Sequence, residues 1–247
     1  EQATALHANA SDAAVRAIVM VGAGDRAFCA GGDIRAIHDA GKSDDPVGQA
    51  FFREEYALNL RLHRLAKPTV AILDGVTMGG GVGLSVHGSH RVATEKLLFA
   101  MPETGIGLFP DVGGGYFLPR CPGETGTYLG LVGARLKAAD ALYVGAATHL
   151  VESAGVEELV AALAGADFGQ NPHGAVNRVL AQRQAASGDP PLKQHRATID
   201  RCFAGSSVEA ILAALEADGG EWAGAARAAI LHKSPTSLKI TLRQLRS

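Results

Sequence analysis

The sequence predicts an α/β fold: a wound spiral of β–turn–α units followed by a helical C-terminal region. Two observations lead there. Short apolar runs, glycine-rich turns and helical segments recur at roughly 30–50-residue intervals up to about Val144. From about Glu152 the texture changes to Ala-rich amphipathic stretches at 156–163, 208–215 and 222–231. These are separated by polar loops carrying Asn171-Pro172, residues 188–191 and Gly219-Gly220. The units have no fixed repeat length, which argues against an open solenoid. A boundary is expected near residue 150, between a spiral core (1–150) and a helical region (151–247).

The elements follow in order. Residues 1–17 read as the tail of a helix and a polar link. Residues 17–21 (AIVMV) form a short apolar run with a glycine-rich exit, which fits an interior strand. Residues 28–33 (FCAGGD) read as a tight glycine turn, followed by a polar linker over 41–47. Residues 51–66 (FFREEYALNLRLHRLA) predict a helix, with Phe51, Leu58, Leu62 and Leu65 on one stripe and Pro68 ending it. Thr69–Leu73 is a second buried strand, and the turn GVTMGGGVG (75–83) leads into a helix expected at 84–90. A strand at 97–100 runs into MPETGIG (101–107) and FPDVGGG (109–115), and another helical segment follows.

Composition narrows the function. The 247 residues carry 23 basic and 25 acidic side chains, a net charge of −2, with no long run of like charge. That argues against nucleic acid or an anionic membrane as a partner recognised by bulk electrostatics. No apolar run approaches the ~20 residues of a membrane-spanning helix. Cys29, Cys121 and Cys202 are far apart and lack CxxC spacing, so a disulfide framework or zinc cluster is not expected and a reducing compartment is. No HxxxH or HExxH pattern occurs, and no metal site is expected.

Two glycine clusters follow buried strands: Gly31-Gly32, and Gly79-Gly80-Gly81 just before a helix. Exposed N–H groups at such turns suit a developing oxyanion or a phosphate, and ordinary tight turns would leave the same pattern. Neither cluster matches GxGxxG or GxxxxGK[ST] at the required place. Glu103 leaves a strand into apolar surroundings, which would raise its pKa and suit a base or nucleophile. Asp111 lies eight residues on, either a turn or cap residue or a second functional carboxylate. Glu55 falls inside the apolar stripe of its helix, so it must meet a polar partner or face a cleft. Ser85 and His87 are close in sequence but diverge on a helix and lack a GxSxG elbow. His90 and Arg91 are expected at the surface, at a helix end.

Segments 27–33 (AFCAGGD), 67–83 (KPTVAILDGVTMGGGVG) and 101–115 (MPETGIGLFPDVGGG) together resemble the crotonase (enoyl-CoA hydratase/isomerase) superfamily. The resemblance covers about residues 15–150. FFREEY, MGGGVGLSVHG, RVATEK, FAMPETGIGLFPDVGGGYFLPR and ATHLV are most similar to an acyl-CoA hydrolase branch of that superfamily. It implies a crotonase-like spiral of ββα units that binds a CoA thioester, with coenzyme A as part of the substrate and no separate cofactor. The N–H groups of Gly32 and Gly80 would form an oxyanion hole, with Glu103 and Asp111 catalytic. Glu55, Gly80, Glu103 and Asp111 would contact a short 3-hydroxyacyl substrate. Hydratases place a first glutamate three residues after the oxyanion glycine; here that position is Gly83, which favours thioester hydrolysis over hydration.

An enoyl-CoA hydratase or isomerase, and a non-catalytic CoA-binding member, are the alternatives. The resemblance also implies a further strand pair before AIVMV and more helix after residue 247. It leaves a homo-oligomer open, and it suits the cytoplasm, or the mitochondrial matrix in a eukaryote.

Overall fold

In the computed structural model, which describes residues 2–43 and 45–247, odd- and even-numbered strands alternate between two parallel sheets. The sheets have strand orders β1-β3-β5-β7 and β2-β4-β6. The strands are β1 (Ile18–Met20), β2 (Ala27–Cys29), β3 (Thr69–Leu73), β4 (Val76–Met78), β5 (His90–Ala93), β6 (Leu98–Ala100) and β7 (His149–Leu150). Each turn of the spiral therefore contributes one strand to each sheet, with helices returning the chain between turns. This is a crotonase-like α/β spiral. Parallel neighbours require such crossovers, because no hairpin can join them.

The helix α1 (Gln2–Ser11) precedes β1, and α2 (Ile34–Lys42) and α3 (Val47–Arg64) separate β2 from β3. Asp33 caps α2, its side chain accepting from the Ala36 N–H at 3.0 Å. The stripe expected on α3 is real: Leu58 and Leu62 are buried against Leu6 of α1. Next, α4 (Gly80–Val86) joins β4 to β5.

Beyond β6, α5 (Gly114–Phe117), α6 (Thr125–Val132) and α7 (Ala138–Tyr143) lead to β7. The C-terminal region is helical, as expected: α8 (Val156–Ala164), α9 (Pro172–Ala181), α10 (Arg196–Cys202), α11 (Val208–Asp218), α12 (Glu221–Leu231) and α13 (Pro235–Arg246). One apolar core runs from Phe28 and Leu73 through Leu131 and Phe203 to Ile230 and Leu242, tying α10–α13 to the spiral. A second, around Val70, Ile72 and Val92, packs under Leu159 and Leu180 of α8 and α9.

Several local expectations change. Among the described residues the run at 17–21 pairs on one side only, with β3, and its residues are half-buried with Val21 exposed. The tight turns expected at 28–33 and 75–83 each begin with a three-residue strand, β2 and β4. Of the expected linker 41–47, residue 44 lies outside the described residues, while α2 ends and α3 begins within the rest. The helix expected at 84–90 starts four residues earlier, and His90 opens β5 instead of ending it. His90 is buried, its ring bonded to Ser89 Oγ at 2.8 Å and Asn177 Oδ1 at 3.1 Å.

β3 is buried along its whole length between two partners, so its side chains have nowhere to relax. Truncating Ile72 to Ala should cost about 2–5 kcal/mol, read as a lower urea midpoint at unchanged slope.

Candidate active site

The five residues singled out from the sequence line one cavity. Gly32, Glu55, Gly80, Glu103 and Asp111 surround a space of about 480 Å³, closed by Phe51, Phe52, Met78, Ile106 and Leu108. They come from four separate segments, Glu103 and Asp111 sharing the one at 101–115, so the fold brings them together.

The glycines act by letting backbone approach backbone. A Cβ on Gly31 would lie 3.3 Å from the Met78 carbonyl and 3.6 Å from the Gly80 nitrogen. The two turns are thus in contact, and Gly31 (φ 104°) and Gly79 (φ 52°) take conformations that L side chains rarely adopt. Gly80 is the first residue of α4, where an N–H has no partner within the helix. A Cβ on Gly32 would meet Phe51 Cζ at 2.5 Å, and one on Gly80 would meet the Glu55 carboxylate.

Glu103 opens a short 3₁₀ turn (Glu103–Ile106) directly after β6. It is 4 % exposed, and neither carboxylate oxygen has a hydrogen-bond partner among the described residues. Oε1 lies 3.6 Å from where a Gly79 Cβ would be, so the carboxylate faces the glycine turn. Burial, with the Asp111 charge nearby, pushes its pKa up to about 8. Glu55 is raised to about 7 by half-burial and by the same neighbour. Asp111 is raised by burial, opposed by the Tyr56 hydroxyl donating to its Oδ2 at 2.8 Å. Apart from His38, no basic side chain lines this cavity among the described residues.

Asp111 is followed by Val112, whose φ of 41° is unusual for a β-branched residue. The His87 Nε2–H donates to the Val112 carbonyl at 2.7 Å and holds it there. Ser85 bonds instead to the carbonyls of Gly81 and Val82, so Ser85 and His87 form no pair.

Gly83 faces Asn59 and Val112. A Cβ there would lie 2.6 Å from Val112 Cβ and 2.9 Å from Asn59 Nδ2, so the position has no room for a carboxylate. Tyr56 and Asn59 were not singled out from the sequence. The available signal was spacing: Asn59 is four residues after Glu55 on the same helix face.

A sequence model described as "Enoyl-CoA hydratase/isomerase" matches residues 2–247. The chain belongs to the enoyl-CoA hydratase/isomerase family. Among curated relatives, the Xenopus tropicalis protein named "3-hydroxyisobutyryl-CoA hydrolase, mitochondrial" is 52% identical over 232 residues, 93% of this chain. The Homo sapiens protein of that name is 50% identical over 231 residues. The chain spans 60% of the length of each.

Two solved structures of this family superpose closely. A carnitinyl-CoA dehydratase from Mycobacterium thermoresistibile matches with TM-score 0.90 and 40% identity, over 99% of this chain and 71% of that one. An enoyl-CoA hydratase from Rhodobacter sphaeroides 2.4.1 matches with TM-score 0.88 and 40% identity, over 98% and 68%.

Two predictions follow from the crowding and the burial. Gly83→Glu should destabilise the protein by roughly 1–3 kcal/mol through overpacking against Val112 and Asn59, measured by chemical denaturation. The folded state holds the Glu103 proton up to about pH 8, whereas the unfolded chain releases it near 4.5. Between those values the unfolded state binds fewer protons, so stability should fall as pH rises and level off beyond about 8. Glu103→Gln should reduce that slope and raise stability at pH 9 by roughly 1–2 kcal/mol.

Proposed function

We propose that this chain carries the active site of an acyl-CoA thioester hydrolase acting on 3-hydroxyisobutyryl-CoA, a reaction of valine degradation. One observation carries the choice of reaction within the family. Glu103 faces Gly79 and Glu55 lies against Gly80, while the position where a hydratase places its first glutamate, Gly83, is filled over by Asn59 and Val112. Hydration of a C=C bond needs one group to activate water and another to protonate the α-carbon. Thioester hydrolysis needs an oxyanion hole and one nucleophile or base at the carbonyl. The names of the curated relatives support the same reading and supply the acyl group.

In this reading, the Gly32 and Gly80 N–H groups receive the thioester oxygen as it becomes an oxyanion. Ionised Glu103 either attacks the carbonyl carbon or takes a proton from the water that does. The C–S bond breaks, CoA leaves as the thiol after taking up a proton, and the acid is released after one water has been consumed. Burial, which raises the Glu103 pKa, makes its carboxylate a stronger base than an exposed one. Asp111, held by Tyr56, orients the substrate hydroxyl or the water, and Glu55 borders the oxyanion position. Coenzyme A enters as part of the substrate, and no separate cofactor is invoked.

The test is a panel of acyl-CoA esters assayed for thiol release and for loss of the enoyl chromophore. We expect CoA release from 3-hydroxyisobutyryl-CoA and no hydration of crotonyl-CoA; hydration without thioester cleavage would overturn the proposal. Glu103→Ala should lower kcat by roughly 10²–10⁴-fold. Since the ionised carboxylate is the active form, kcat/KM should rise with pH and level off above about 8.

A further inference from the structure

A second cavity, of about 370 Å³, adjoins the first at Asp111. Its walls include Tyr56, Asn59, His87, Phe109 and Val112, and Asp111 lines both cavities. Asn59 is 5 % exposed, yet neither its Oδ1 nor its Nδ2 has a hydrogen-bond partner among the described residues. Burying an amide unanswered costs ~1–3 kcal/mol, so a hydroxyl or water that reached this one would be bound favourably.

Geometry indicates what that ligand is. On α3, Glu55 meets Gly80, and one helical turn later Asn59 meets Gly83, itself three residues beyond Gly80 on α4. The two contacts therefore lie side by side, separated along the helices by about 5 Å. A short acyl chain spans a comparable distance from its thioester carbonyl to a hydroxyl on C3. The amide offers one donor and one acceptor side, and a neutral hydroxyl can satisfy both. An anion would leave Oδ1 unpaired and would sit beside Asp111.

We propose that Asn59 is a specificity-determining residue that binds the C3 hydroxyl of the acyl group, donating through Nδ2 and accepting through Oδ1. The proposal rests on the thioesterase reading of the adjoining cavity. It assigns Asn59 to substrate selection, leaves Asp111 to orient the water, and leaves bond cleavage to Glu103.

The experiment compares 3-hydroxyisobutyryl-CoA with isobutyryl-CoA, which lacks the hydroxyl, on the full chain and on Asn59→Leu. The unsubstituted protein should prefer the hydroxylated ester in kcat/KM, and Asn59→Leu should shrink that preference by roughly 10–100-fold. An equal loss on both esters would overturn the proposal, because Asn59 would then serve the water or the packing. Should Asn59→Leu fail to fold, the unsubstituted protein still decides: a preference ratio near one rules out hydroxyl recognition, and Asn59→Ser should retain part of any ratio that exists. If neither ester releases CoA, the thioesterase reading fails on its own. The ratio of the Kd values of the two esters, by calorimetry, then judges Asn59 by the same criterion.

Discussion

Everything at this site depends on how closely α3, α4 and the two glycine turns approach one another. Gly31 touches the Met78–Gly80 backbone, Gly80 lies against Glu55, and Gly83 lies against Asn59. Side chains at these positions would push the elements apart and open the cavity. Gly81 belongs to the same constraint, since a Cβ there would run into the Cys29 carbonyl of β2. Close packing fixes where the backbone of the two turns stands, which is the preorganisation that the proposed oxyanion hole requires.

The carboxylates are arranged to stay poorly solvated and short of cationic partners. Glu55, Glu103 and Asp111 share one apolar-walled space, and each is pushed up by burial. Such an arrangement costs stability and raises basicity, which is the usual exchange at catalytic centres. Tyr56 moderates it at one point only, by donating to Asp111.

Much of this was legible in the sequence, for identifiable reasons. The apolar stripe of α3 and the fully buried β3 announce themselves through periodicity and run length. Glu103, Asp111, Gly32, Gly80 and Glu55 stood out by residue type and by family-like wording, and they meet at one cavity. What failed was local. The three-residue strands β2 and β4 are too short to show alternation, and each is flanked by glycine. The start of α4 is hidden in the sequence because a glycine run argues against helix, whereas packing against β2 and α3 demands it there. His90 looked like a helix-end residue because its bonds to Ser89 and Asn177 depend on how β5 is buried. Asn59 is inconspicuous in the sequence for a similar reason: its significance lies in its place beside Gly83, which spacing alone does not reveal.

The pairing of Glu55 with Gly80 and Asn59 with Gly83 also governs how this chain can change length. Each residue added inside a helix turns everything beyond it by about 100°. An insertion between Glu55 and Asn59 would swing one of them off the α4 face, and one between Gly80 and Gly83 would do the same from the other side. The connection before α3, by contrast, is short and polar, ending at Pro46. There, added residues would shift the chain without rotating α3 against α4. Lineages of this fold can therefore be expected to vary in length before Val47 and to keep α3 and the opening of α4 in fixed register.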